Sequence, residues 1–394
     1  MRRRAFLTAA LGSISGTAQT QTWQRRRIGA NCFNRRVSPQ WLKAAAAANI
    51  SLVRLVYEKW GERDFLLLSA DEYRALLAPH LRQLVAVLDG FYAKGIAVVL
   101  TPITLPGARW RQQNGNRRDG RLWKETRYWD QARRFWRDLT RALKQHPAIA
   151  AFDLLNEPAP ELEHGKSTFW TDDYRTWYNT VRGTAGDLNA FYRHLVEGIR
   201  EVDTRVPLIL ESGLHATPWA LDVMEPFADP NIRYSIHMYE PYEYTTWRKH
   251  KGALKFPGSV PIEGNDRRLD IDAAWLNHFF DPVRAWMTRH SLPPGRLIIG
   301  EFGCGRRCPG AAEYLAALVR IFDREDWHWM FYSFREDTWD GMDYELGVEP
   351  PPPWYWDLAE KDGLPERYDE LYARRRENAL WRVLQERLRS DRQR

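Results

Sequence analysis

Apolar and polar residues alternate along the chain at two different periods. Short, almost continuously apolar runs are separated by longer stretches in which apolar residues recur every three or four positions. The runs IGANCF (28–33), SLVRLVY (51–57), IAVVLTPI (96–103), IAAFDLLNEP (149–158), PLILESG (207–213), IRYSIHMYEP (232–241), RLIIGEFG (296–303) and HWMFYSFRE (328–336) predict eight strands. Strands this apolar are buried on both faces, as in a parallel sheet covered by helices. Helical periodicity follows each of them, at 40–48, 71–93, 128–144, 187–203, weakly at 219–227, then at 272–290, 311–324 and 365–388. Parallel neighbours need crossover connections, so a strand followed by a helix eight times over predicts an α/β fold, a (β/α)8 TIM barrel. The 394 residues are enough for two average domains, but no low-complexity linker divides them, and one domain over 24–390 is expected.

Long connections follow strands three (104–126), four (159–186), six (240–271) and eight (335–364). In such barrels these βα loops build the rim of the active-site face. They carry Trp110, Trp123, Trp170, Trp177, Trp247, Trp339, Trp354 and Trp356, out of 19 tryptophans in all. An indole on a rim loop is a flat apolar plate able to stack on a sugar ring, or to pack beneath a lid.

Composition narrows the class without choosing a reaction. Hydrophobic residues make up 44% and charged residues 28%, which suits an ordinary globular chain with a sizeable core. The net charge of +7 falls to +4 without Arg2, Arg3 and Arg4, too weak and dispersed for a nucleic-acid binder. Residues 1–20, MRRRAFLTAALGSISGTAQT, combine paired arginines, a short apolar segment and small residues, and predict a twin-arginine-like export signal. That segment is too short to span a membrane, and no later stretch is long enough, so a periplasmic or extracellular monomer is expected. Cys304 and Cys308 are spaced either for a short-loop disulfide or as two buried thiols, Cys32 is left over, and no metal-ligand spacing accompanies them.

In a barrel the C-terminal ends of the strands converge. Those ends carry Arg54, Asn156, Glu157, Glu211, His237, Tyr239, Glu301, Tyr332, Phe334 and Glu336. Two acids facing one another, one protonating a leaving oxygen while the other attacks the anomeric carbon, are the machinery of a retaining glycosidase. Glu157 and Glu301 are the candidates, with Arg54 placed to keep one of them ionised and Asn156 to donate to a sugar hydroxyl. His237 and Tyr239, two apart on one strand, project to the same side and reach the acids. Glu58, Glu211, Glu240, Glu336 and Asp337 read first as ordinary salt-bridge partners at the surface, with cleft lining as the second reading.

NEP at 156–158, H-x-Y at 237–239, GEFG at 300–303 and the arginine at the end of strand two together resemble glycoside hydrolase family 5, the cellulase-type family of clan A. LPG at 105–107 and QNG at 113–115 resemble the segment after strand three in its exo-β-glucanase-like members. The resemblance spans roughly residues 28–340, with motifs in the right order and spacing. It implies Glu157 as acid/base, Glu301 as nucleophile, Tyr239 holding the nucleophile, His237 as a partner of the acid/base or a sugar hydroxyl, Arg54 orienting Glu301, and Asn156 on the sugar 2-hydroxyl. Two positions depart from the family pattern: Ile103 stands where it has a histidine, and Tyr332, or Phe334 in a slipped register, where it has a tryptophan.

The expectation is therefore a cofactor-free, metal-free retaining hydrolase of β-linked glucan- or mannan-type carbohydrate, with Tyr332, Phe334, Trp110, Trp170, Trp247 and Trp339 as sugar-stacking candidates. Transglycosylation by the same residues, or a carbohydrate-binding barrel without turnover, are the alternatives. The acid pair discriminates the latter, since binding alone needs no second carboxylate.

Overall fold

The apolar runs form parallel strands because each is enclosed on both faces and finds its backbone partners in its neighbours. They are β1 (Ile28–Cys32), β2 (Leu52–Val56), β3 (Ala97–Thr101), β4 (Ile149–Asp153), β5 (Leu208–Glu211) and β6 (Ile232–Met238), then, beyond a small hairpin of β7 (Gly258–Pro261) and β8 (Arg268–Ile271), β9 (Leu297–Phe302) and β10 (His328–Phe331). This computed structural model describes residues 22–61, 63–166, 174–262, 267–349 and 378–393. The predicted export signal, Trp170, Trp354, Trp356 and the start of the last helical stretch lie outside the described residues.

Eight strands close into a barrel in the order β1-β10-β9-β6-β5-β4-β3-β2, with parallel registers such as Ile28 opposite Trp329 and Leu208 opposite Ile232. Gly29 is required where β1 meets β2, since a Cβ there would lie 2.1 Å from the Leu52 carbonyl oxygen. Regular pairing ends earlier than the apolar runs do, at Asp153, Glu211, Met238 and Phe331. The residues beyond pair with loops instead: the Asn156 N–H donates to the Pro102 carbonyl (2.8 Å) and the Ser333 N–H to that of Met342 (3.2 Å).

The helices are α1 (Pro39–Ala47), α2 (Ala78–Ala93), α3 (Arg127–Leu143), α4 (Tyr174–Val181), α5 (Leu188–Arg200), α6 (Ala273–Phe279), α7 (Asp281–Arg289), α8 (Ala311–Arg324) and α9 (Ala379–Gln393). Two expected helices are shorter or broken, both at proline. The stretch 71–93 becomes helical only at Ala78, with Pro79 in its first turn, and 272–290 divides at Phe280 with Pro282 opening α7. Proline lacks the N–H a helix interior needs and fits the first turn, where that donor is unused. The weak pattern at 219–227 is a 3-10 helix, Pro218–Val223. The helix α4 and the β7–β8 hairpin occupy long βα connections where no element was expected. Among the described residues no helix is long and apolar enough to cross a membrane.

The chain divides into two compact parts, and the divisions fall inside β2 and β6. In residues 55–235, Trp136 packs on Phe135 and Phe152, and Trp129 and Trp123 pack on Phe191 between α3 and α5. In residues 27–54 with 236–394, Phe302 sits against Phe322 and Trp329, and Trp381 of α9 against Phe331. Burying each aromatic ring of this size contributes roughly 2–3 kcal/mol. Much of the tryptophan content is therefore core: Trp136, Trp286, Trp327, Trp329 and Trp381 are fully buried, and the loop-borne Trp123 is buried as well.

Candidate active site

Within residues 55–235, β4 ends in the segment carrying Asn156 and Glu157, both half-buried. Glu157 has φ 49°, in the left-handed region that a side chain other than glycine adopts at a cost. The strained turn is held by Glu211 at the end of β5, whose Oε2 accepts the Glu157 N–H at 2.6 Å. Glu211 is fully buried, with its main-chain N–H and carbonyl both bonded to the Tyr192 hydroxyl. The surface salt-bridge reading of Glu211 is thus corrected. It is an internal acceptor that sets the direction of Glu157, and its place at the end of the apolar run PLILESG was the available signal.

Glu58 is corrected in the same way. It is buried beyond the end of β2, and its Oε1 accepts the N–H groups of Ile103 and Thr104 (2.9 Å to the latter). Burial pushes its carboxyl up to about 7. Ile103 is half-buried, with its N–H committed to Glu58. The loop beyond β3 is braced by Arg109, which donates to both oxygens of Asp64 (2.6 and 2.7 Å) and to Asp71 (3.0 Å). Hydrogen bonds from Arg109 and Arg121 hold Asp71 down to about 2. The same loop presents Trp110, half-buried, with its N–H donated to the Thr104 hydroxyl at 3.2 Å.

Within the second part, Glu301 on β9 is nearly buried and both of its oxygens are engaged. Arg54 Nη1 donates to Oε1 at 2.6 Å, and the Tyr239 hydroxyl donates to Oε2 at 2.7 Å. His237 Nδ1 lies 3.8 Å from Oε2. Arg54 is wholly buried, and a guanidinium in that position requires such a carboxylate. Its Nη1 also donates to Asn31 Oδ1 (3.2 Å), while Asn31 Nδ2 donates to the carbonyls of Gly300 (2.9 Å) and Met330 (3.2 Å). Asn31 therefore couples the cation to the strand carrying Glu301. Sequence reasoning missed it, although an asparagine in the apolar run IGANCF was a visible anomaly.

At the end of β10 the half-buried Tyr332 donates to Glu336 Oε2 (2.9 Å), and its ring lies 6.1 Å from that of Trp339. Glu336 is buried and also accepts from Ser333 and Thr338, so the surface reading fails for it too. Phe334, a sugar-stacking candidate, is corrected to a core residue: it is buried edge-on against Trp41 and tilted on Trp381. Trp247 is half-buried with the Arg307 guanidinium 5.8 Å from its ring. Cys304 and Cys308 are both free and buried, and burial pushes the Cys308 thiol up to about 12. Cys308 Sγ faces the Tyr244 carbonyl at 3.2 Å.

The guanidinium and the phenol donor on the Glu301 oxygens suit an anionic carboxylate. The closed barrel of parallel strands, with Glu157 and Glu301 each beyond or at the end of an apolar strand, defines a glycosidase barrel suited to double displacement on glucan-type substrates.

The chain belongs to the cellulase family, glycosyl hydrolase family 5, whose sequence profile matches residues 16–338. Solved structures similar to it include the endoglucanase Cel5A of Thermotoga maritima, with TM-score 0.59 and 17% identity over 88% of this chain and 98% of that one. The cellulose synthase subunit Z (CcsZ) of Clostridioides difficile has TM-score 0.57 and 17% identity over 86% and 99%. The endoglucanase Cel5A of Pseudomonas stutzeri has 0.58 and 17% over 85% and 93%. A search of curated protein sequences finds no match.

Proposed function

We propose that the protein hydrolyses β-linked glucan- or mannan-type saccharides with Glu301 as nucleophile and Glu157 as acid/base. The observation that carries this assignment of roles is the pair of donors on Glu301. Glu301 has a buried guanidinium at 2.6 Å and a phenol at 2.7 Å, which favour its ionised form. Glu157 is half-buried on a strained turn whose main-chain N–H is accepted by Glu211. In the first step Glu301 attacks the anomeric carbon while Glu157 gives its proton to the leaving oxygen, and the glycosidic bond breaks. In the second, Glu157 takes a proton from water, which displaces Glu301 and restores both acids. Tyr239 and Arg54 hold the nucleophile, Asn156 binds the sugar 2-hydroxyl, and His237 aligns the acid/base or a hydroxyl. No metal or organic cofactor takes part.

Trp110, Trp247, Trp339 and Tyr332 are the proposed sugar platforms, Trp170 remaining a candidate on sequence alone. The LPG and QNG segments support an exo-acting, exo-β-glucanase-like subtype. The paired arginines and small residues of 1–20 support export of a monomer to the periplasm or beyond.

The test is a proton spectrum of the first product released from a 4-nitrophenyl β-glycoside, with Glu301→Gln alongside. The β anomer is expected first, turnover falls below detection in Glu301→Gln, and Glu157→Ala loses about 10²–10⁴-fold in kcat with partial rescue by azide. First release of the α anomer, or an active Glu301→Gln enzyme, refutes the assignment. Product lengths from cello- and manno-oligosaccharides decide exo against endo action.

A further inference from the structure

Beyond the catalytic pair, the ends of β2 and β3 carry a polar group to which the mechanism assigns no work. Glu58 lies in the turn two residues beyond the end of β2. The acid is 2% exposed. Its Oε1 is spent on the N–H groups of Ile103 and Thr104, which ties the two strand ends together. Its Oε2 is buried and has no hydrogen-bond partner among the described residues.

The same holds for a second oxygen beside it. Gln113, in the QNG segment, donates its Nε2 to the Glu58 carbonyl, and its own Oε1 is buried without a partner among the described residues. A buried oxygen left unsatisfied costs about 1–3 kcal/mol, and folded proteins leave few of them. Two such oxygens, on residues joined by the hydrogen bond from the Gln113 amide to the Glu58 main-chain carbonyl, call for an O–H or N–H group from outside the described residues. Gln113 is only half-buried, and a single described hydrogen bond holds its amide. Burial holds the acid near neutrality at about 7, which lets Oε2 serve as acceptor or donor to a hydroxyl.

Resting on the glycosidase reading above, we propose that Glu58 and Gln113 form a specificity-determining subsite that hydrogen-bonds one hydroxyl of the bound sugar. The Ile103 side chain offers no polar group at this strand end, and Glu58 supplies one from the neighbouring strand.

Binding to the Glu301→Gln protein tests this without turnover. Cellotriose, mannotriose and laminaritriose are titrated calorimetrically, and the tightest of them is compared with its monodeoxy derivatives, with and without Glu58→Gln. The amide keeps the shape and the acceptor for Ile103 and Thr104. A loss of about tenfold or more is expected for the parent sugar, as for one hydrogen bond of about 1.4 kcal/mol, and no further loss for one monodeoxy derivative. Equal loss for every derivative, as a structural water or a purely structural acid would give, overturns the proposal, as does unchanged binding or binding of none of the three sugars. Should Glu58→Gln not fold, Gln113→Ala carries the same comparison. Turnover of the unmodified protein on 4-nitrophenyl β-glycosides is read separately, so an inert enzyme refutes the catalytic reading while the dependence of binding on Glu58 is judged by itself.

Discussion

Glu161 offers a measurable consequence of burying an acid next to a catalytic loop. It lies four residues beyond Glu157, is 1% exposed, and is pushed up to about 7 by its burial. The Tyr174 hydroxyl donates to its Oε1 at 2.5 Å, and its Oε2 has no partner among the described residues. In an unfolded chain a glutamate titrates near 4.3. Between about 4.3 and 7 the native state therefore holds more protons than the unfolded one, and stability falls as pH rises through that window. At about 1.4 kcal/mol per unit of displacement, ionising Glu161 costs the fold on the order of 3–4 kcal/mol above pH 7. Glu161→Gln keeps the shape and the acceptor for Tyr174 but cannot ionise. Its urea midpoint should exceed that of the parent at pH 8 and match it near pH 4. Glu58, also near 7, has the same sign, so the single variant should retain about half the slope and Glu58→Gln/Glu161→Gln should lose the rest. Asp71 titrates near 2 and does not contribute in this range. A Glu161→Gln protein with the full parental slope between pH 5 and 8, or one less stable than the parent at pH 8, refutes the reasoning.

Two further outcomes follow from buried cations. Arg54→Met leaves Glu301 with Tyr239 and His237 in place of a guanidinium at 2.6 Å. Stability should drop by about 3–5 kcal/mol, and the acidic limb of the kcat/KM profile should move to higher pH. An unmoved limb would show that Arg54 does not set the charge of Glu301. Arg306, 1% exposed, donates to the Asp340 carbonyl (2.8 Å), the Gly347 carbonyl (2.7 Å) and the Asp340 carboxylate. Arg306→Met should also cost about 3–5 kcal/mol and speed proteolysis within 340–349, and an unchanged thermal midpoint would show that the clamp is dispensable.

The barrel was legible because its signal is local. Apolar runs separated by helical periodicity specify eight βα units wherever they fold, and proline at 79 and 282 shifted two of the helical ends. Glu157, Glu301, His237, Tyr239 and Arg54 stand out as candidates because short motifs sit at strand ends, and the structure places Arg54, Tyr239 and His237 around Glu301. Exposure was not legible, because it depends on what packs from distant parts of the chain. Glu58, Glu211 and Glu336 look in sequence like surface acids, and all three are buried acceptors of hydrogen bonds. Phe334 reads as a sugar platform by its place after β10, yet Trp41 and Trp381, 293 and 47 positions away, enclose it. The sequence by itself determined the strand order's raw material and nominated the two acids, since both follow from periodicity and motif. Only tertiary structure decided which oxygen meets which donor, because a hydrogen bond is set by a few tenths of an ångström across segments that the chain brings together from far apart.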